Sequence, residues 1–329
     1  MKRERFLSLI FRVTTGVMAS SPFLILLFIL IVLVRDAIPA IRYQGSSFFT
    51  GVTWNMGNMY ANNPIVHNGV QAAPGASFGI LPFIMGTLGS SLIALLIGVP
   101  FALMTAFALV YKVPKPIQRV LSPMVELLAG IPSVVYGLWG VESLSPFIEF
   151  KLGPLLTRLG HAVPFLAGPV GTGFGLLTSG LVLAVMIIPI ITATTRDLLM
   201  QVPTLSLEGA HALGLTSFES VRFVAYPWVK RGIFGAIVLG LGRALGETMA
   251  VLMVSGDAAN YLPYNLYSPI STMASTIAAL LDSALTDFTG MSVHALAFIA
   301  LTLLVITVIT NLIARLLVSM GRQNVHVEM

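Results

Sequence analysis

Long apolar runs, each closed by a charge or a proline, alternate with polar stretches along this chain. Six of them, residues 17–34, 83–111, 120–141, 174–195, 233–256 and 293–317, dominate the pattern. A helix needs about 20 largely apolar residues to cross a hydrocarbon core about 30 Å thick, so each run predicts a transmembrane helix. Pro100, Pro123, Pro132 and Pro189 lie inside these runs. Proline removes an N–H and bends a helix, so the third run, with two prolines, predicts a kinked or broken helix. Lys2, Arg3, Arg5 and Arg12 precede the first run. A basic start before an apolar run also fits a cleaved signal peptide. The length of the run and its abrupt closure by Arg35-Asp36 favour a retained helix.

The stretches between the runs differ in kind. Residues 43–82 are rich in Gly, Asn and Pro and predict a loop. Residues 142–171 predict a loop with a short amphipathic piece. Within 257–292, Met273, Ile277, Leu280 and Ala284 recur at helical spacing and predict a short helix in or on the bilayer. Residues 197–230 are polar, with a modest apolar stripe of Leu205, Ala212 and Leu215. Ser206 is placed to cap a helix beginning at Glu208, and Gly214 to stop it. Thr216 and Glu219 have capping-box spacing, so a second short helix is expected there. Two short helices joined at a glycine make a lever that a partner on that side can push; an ordinary inter-helix loop is the plainer reading of the same residues.

Composition turns the pattern into a class. The chain of 329 residues is 56% hydrophobic and 9% charged, where soluble domains carry about 25% charged residues. The reading is an all-α integral membrane protein with six transmembrane helices. The net charge of +5 comes without a basic run interleaved with aromatics, so nucleic acid is discounted. Cysteine is absent, which excludes disulfides and thiolate-bound metals. Of the 18 Lys and Arg, 13 lie in the amino-terminal tail, the 112–119 loop, the 196–232 loop and the carboxyl tail, against 4 in the three loops opposite. The positive-inside rule then places both termini in the cytoplasm: a tail at 1–16, a transmembrane body at 17–318 and a tail at 319–329. Gly75-Ala76-Ser77-Phe78-Gly79 has the hydrolase G-x-S-x-G pattern but no strand-turn-helix context. No G-x-x-x-x-G-K-[ST] occurs, so energy from ATP needs another subunit. The five histidines show no ligand spacing, and no metal or cofactor is expected in the chain itself.

The fifth run carries Arg243 and Glu247, four residues apart and so expected on one helix face. An arginine at mid-membrane costs about 2.5–3.5 kcal/mol on insertion scales, which pairing with Glu247 would offset. Gly242 and Gly246, with Ala236 and Gly240, are expected to let a neighbouring helix approach. Two readings stand: an ion pair that fixes packing, or a site where Arg243 attracts an anion and Glu247 tunes it. Glu126, in the third run, is expected to be a second buried carboxylate, either at a helix end or on a pathway.

Glu208-Gly209-Ala210, Gly214, Val224 and Pro227 resemble, in order and spacing, the EAA loop of ABC-importer permeases, here about 203–227. Gly209, Val224 and Tyr226 depart from its usual alanine, isoleucine and leucine. The segments 126–140 and 240–251, with Ile187-Ile188-Pro189, Arg196-Asp197 and Val202-Pro203, are similar to phosphate (Pst) importer permeases of the PstC type, from about residue 79 to 314. The resemblance implies the type I ABC-importer permease fold and ATPase coupling through Glu208, Gly209, Ala210, Gly214 and Pro227. It implies phosphate translocation past Arg243 and Glu247. The partners it implies are a PstA-type permease, a dimeric PstB-type ATPase holding ATP and Mg, and a PstS-type phosphate-binding protein. A permease for molybdate or sulfate, the PstA-type sister subunit, a membrane enzyme and a purely structural subunit are the competing readings.

Overall fold

Small residues decide where the helices of this chain touch. The computed structural model describes residues 2–59, 61 and 63–320. The long helices are α1 (Lys2–Gln44), α2 (Leu81–Tyr111), α3 (Lys115–Ala129), α4 (Ser133–Arg158), α5 (Leu176–Met200), α7 (Ser217–Leu245) and α10 (Met291–Met320); α6 (Thr204–Ala212), α8 (Met249–Val254) and α9 (Met273–Ala284) are short. Five helices (α1, α2, α5, α7, α10) are long and apolar enough to cross a membrane, and α3 with α4 make a sixth span if that bent pair is counted as one. The all-α class follows. The last part of the expected carboxyl tail, residues 321–329, lies outside the described residues.

The bundle is centred on α5, which packs along α2, α7 and α3. Its buried Leu183, Ala184, Ile187 and Ile191 meet Ala94 and Ala102 of α2 and Ala236 and Ala244 of α7. Glycines set the closeness of that contact. A Cβ on Gly98 would come 2.9 Å from Ile187 Cγ1, and one on Gly240 would come 2.8 Å from Ile191 Cδ1. Ala236 and Gly240 therefore do what the sequence suggests, but a Cβ on Gly242 would meet nothing within 4 Å.

One break falls as its prolines predict, and two elements differ from the sequence reading. The third span breaks at residues 130–132, where α3 and α4 meet at 92°. Pro132 supplies the break, and the Tyr136 hydroxyl donates to the Leu128 carbonyl at 2.8 Å across it. The helix then runs on to Arg158, through two wide π-type segments, where a loop was expected. Residues 43–82 are not only loop. The strands β1 (Trp54–Asn55) and β4 (Ser77–Phe78) pair antiparallel, as do β2 (Ile65–His67) and β3 (Val70–Ala72). The second pair turns through Asn68-Gly69 with φ of 52° and 76°, the positive values a two-residue type I′ hairpin demands. This region, α9 and the start of α10 share one core of Phe48, Trp54, Phe78, Phe83, Met273 and Phe298, with Phe48 stacked on Phe298 at 3.8 Å.

The expected helix at 273–284 is α9. Its Met273 and Ala284 are buried, and Thr272 and Ser275 form a capping box at its start. At the foot of α10, Asp287 accepts from the Ser292 N–H and hydroxyl and the Thr289 N–H and hydroxyl. Burial alone pushes that carboxyl up, but the four donors outweigh it and hold it below the ordinary carboxylate range.

Candidate functional site: a split charged helix and a lever

The expected pairing of Arg243 with Glu247 does not occur. Helix α7 ends at Leu245, residues 246–248 are non-helical, and α8 begins at Met249. The four-residue spacing therefore no longer means one face. Gly246 marks the stop, and Glu247 starts the next helix: its Oε1 accepts from the Ala250 N–H at 3.3 Å. Glu247 is 8% exposed, and its carboxylate answers one orphan N–H at the start of α8, where negative charge also favours the helix dipole. The two residues diverge. Glu247 turns into the protein, and Arg243 turns into a cavity.

That cavity has a volume of about 780 Å³ and lies between α7, α10 and Ile190 of α5. Arg231, Gly235, Val238, Leu239, Gly242 and Arg243 line it from α7, and Asn311 and Arg315 from α10. Among the described residues, no carboxylate lines it. Arg196 pairs with Glu126 and Asp197, and among the described residues neither Arg243 nor Arg315 has a carboxylate within 4 Å.

Glu126 is elsewhere and is not buried. Its side chain is 55% exposed and accepts from Arg196 Nη2 at 2.6 Å. Arg196 is 6% exposed and also reaches Asp197 Oδ1, at 2.6 Å from Nη2 and 3.1 Å from Nε. Arg196 Nη1 has no partner. The cluster ties α3 to the end of α5, so Glu126 takes a packing role in this geometry. Sequence reading treated Arg196-Asp197 as the end of a span; a buried arginine and an unassigned glutamate were the available signal for their pairing.

The lever forms with corrections. Helix α6 starts at Thr204 after Pro203, and Ser206 is not its cap. Its end is a Schellman closure: Leu215 N–H donates to the Ala210 carbonyl at 3.1 Å and Gly214 N–H to the His211 carbonyl at 3.0 Å. Gly214 has φ of 88°, a value that costs most other residues about 1–2 kcal/mol. The Thr216–Glu219 capping box is present, but the helix it opens is α7 itself, not a second short one. A five-residue π-type segment, Val221–Ala225, widens α7 just before Pro227 and absorbs the missing N–H. Ala210 is buried against the bundle, while Glu208, Gly209, Gly214 and Pro227 are exposed. Leu205 and Leu213 are 80% and 84% exposed on the same lever.

A bundle of membrane-length helices with an open arginine-lined hollow and a lever bearing exposed leucines fits a membrane protein of the transporter class. Residues 98–320 match the family described as "Binding-protein-dependent transport system inner membrane component", and the chain belongs to that family. It is a multi-pass membrane component of such a system. It is 50% identical over 303 residues to "Phosphate transport system permease protein PstC 1" of Mycobacterium tuberculosis, covering 91% of this chain and 89% of the relative. It is 38% identical to the PstC permease of Mesorhizobium japonicum, covering 96% and 91%. A chain of the inward-facing MetNI methionine ABC transporter matches at 18% identity and a TM-score of 0.48, covering 73% of this chain and 93% of that one.

Proposed function

We propose that this chain is the permease subunit of an ATP-driven importer that carries inorganic phosphate across the cytoplasmic membrane. The observation that carries the reading is Arg243, a guanidinium on a membrane-spanning helix that lines an open hollow with no carboxylate among its described lining residues. A guanidinium there is costly unless an anion uses it, and its planar fork suits a tetrahedral oxyanion. Relatives at 36–50% identity over most of the chain carry the phosphate-permease name, which supports phosphate over molybdate or sulfate.

In this reading Arg243 contacts the substrate, and Glu247 holds the break that aims it. The lever is the attachment for an ATPase of the PstB type, which holds ATP and Mg. Ala210 seats the lever in the bundle, Gly214 gives it its corner, and Glu208, Gly209 and Pro227 face the ATPase. A PstA-type permease completes the path, a PstS-type protein delivers phosphate, and both termini are cytoplasmic. ATP binding favours one state of the ATPase dimer, and the lever passes that bias to the helices.

The test is phosphate uptake by the reconstituted complex, with molybdate and sulfate as competitors. Wild type takes up phosphate and is inhibited weakly by the other two. Arg243→Gln assembles normally and loses uptake. Undiminished uptake by that variant, or a preference for another oxyanion, would overturn the reading.

A further inference from the structure

The chain buries an arginine where the lever joins the bundle. Arg196 is 6% exposed and stands four residues before the end of α5, and residues 201–203 lead straight into α6. Leu199 and Val202 share a buried cluster with Ala225, Val229 and Ile233 of α7. The root of the lever is therefore packed, and a displacement of α6 reaches Arg196 through side chains in contact.

A buried guanidinium has to keep a counter-charge. Arg196 has two, from different elements. Its Nη2 lies 2.6 Å from Glu126 Oε1 on α3 and 2.6 Å from Asp197 Oδ1. Asp197 is the next residue of the same helix and travels with the arginine. Glu126 belongs to α3, and its side chain is 55% exposed. When α3 draws away, Arg196 keeps Asp197, and Glu126 turns to water that it already meets. Neither charge is stranded. An arginine with a single buried partner would bolt the two helices together; a shared one holds them by a contact that opens at small cost. Helix α3 is also placed to move. Within this chain each of its residues is exposed or half-buried. Residues 112–114 join it to α2, and the elbow at 130–132 turns it 92° from α4.

We propose that Glu126 and Arg196 form a releasable clasp through which the lever moves α3, and that Asp197 is the counter-charge that lets the clasp open. It is closed in this structure. In the other state of the cycle α3 stands off α5, and Arg196 rests on Asp197 alone. All three act as positioning residues for coupling, without touching the substrate. The inference rests on the transport reading and adds to it the residues that join lever to helix. A contact with two discrete arrangements is what converts a small shift at one end into a helix movement at the other.

The experiment is a distance measurement by double electron–electron resonance on the full complex in lipid nanodiscs, with cysteine-free partner subunits. This chain has no cysteine, so Met124→Cys on α3 and Met200→Cys on α5, both exposed, carry the spin labels. Wild type is expected to show two distances, with the longer one gaining population when ATP and vanadate trap the ATPase. Glu126→Gln raises the longer population about threefold without nucleotide, the scale of a half-exposed ion pair. Asp197→Asn does the reverse: Glu126 becomes the last counter-charge, the clasp stays shut, and the response to ATP is suppressed. Opposite signs are the signature, because a merely structural cluster loosens in the same direction whichever carboxylate is lost. Glu126→Asp restores part of the shorter population.

A single distance that ignores nucleotide overturns the clasp, as do shifts of the same sign in the two variants. Should one variant fail to assemble, the wild-type response and the other variant still decide. The distances do not depend on which anion is carried. A complex that imports another oxyanion while its distances behave as stated loses the function reading alone, and one that imports phosphate at a fixed distance loses this inference alone.

Discussion

Single side chains in this bundle are worth what their surroundings make of them. Arg196 is buried and shares two half-exposed carboxylates, Glu126 and Asp197. Each carboxylate backs up the other, so Glu126→Gln or Asp197→Asn alone costs little. Removing both leaves a buried guanidinium without a counter-charge, and breaking a buried pair costs about 3–5 kcal/mol. A double-mutant cycle on thermal unfolding in detergent is expected to show a combined loss larger than the sum of the two. Asp287 gives a pH signature. Its folded carboxyl is held below its unfolded value, so its contribution is fully present above about pH 4, near the ordinary aspartate pKa. It is lost as pH falls through the depressed folded value. Asp287→Asn is expected to flatten the acid limb of stability measured against pH; an unchanged limb would refute the role of the four donors.

Helices and their breaks carry the next level. Gly240→Ala places a methyl against Ile191, and overpacking of this kind costs about 1–3 kcal/mol. Ile191→Val added to it is expected to recover part of the loss in thermal midpoint, because the clash is with the end of that side chain. Glu247→Ala removes the acceptor at the start of α8 and is expected to cost about 0.5–2 kcal/mol, as lost caps do, while Glu247→Gln keeps an oxygen and costs less. The long apolar runs were legible because burial in lipid demands length and apolarity, which composition displays directly. The Asn68-Gly69 hairpin was missed: the dipeptide suits positive φ, but the Gly, Asn and Pro around it read as loop. The break after Leu245 was not legible. A single Gly246 inside an apolar run is tolerated by many helices, so nothing before the fold says that the helix stops there and that Glu247 serves α8 instead of pairing with Arg243. The continuation of α4 to Arg158 was hidden for a related reason: its prolines sit where wide π-type segments absorb them.

At the scale of the whole molecule, the lever is the part left unfinished. Leu205 and Leu213 stand almost fully in solvent, and covering one leucine is worth about 1.5–3 kcal/mol. Leu213→Asp is therefore expected to weaken association with the ATPase about 10- to 100-fold in a pull-down titration while leaving the bundle folded. The chain has no cysteine, so Leu213→Cys gives a clean reporter of sidedness. A membrane-impermeant maleimide is expected to label it only in inverted vesicles; labelling of intact cells would reverse the orientation.

The right-angled joint between α3 and α4 has a mechanical corollary. A straight rod transmits thrust along its length, but a rod turned through 92° converts thrust on one arm into torque on the other. Arg196 grips the first arm and the Tyr136 hydroxyl braces the elbow. Motion fed in along α3 is therefore expected to emerge at α4 as a sideways swing.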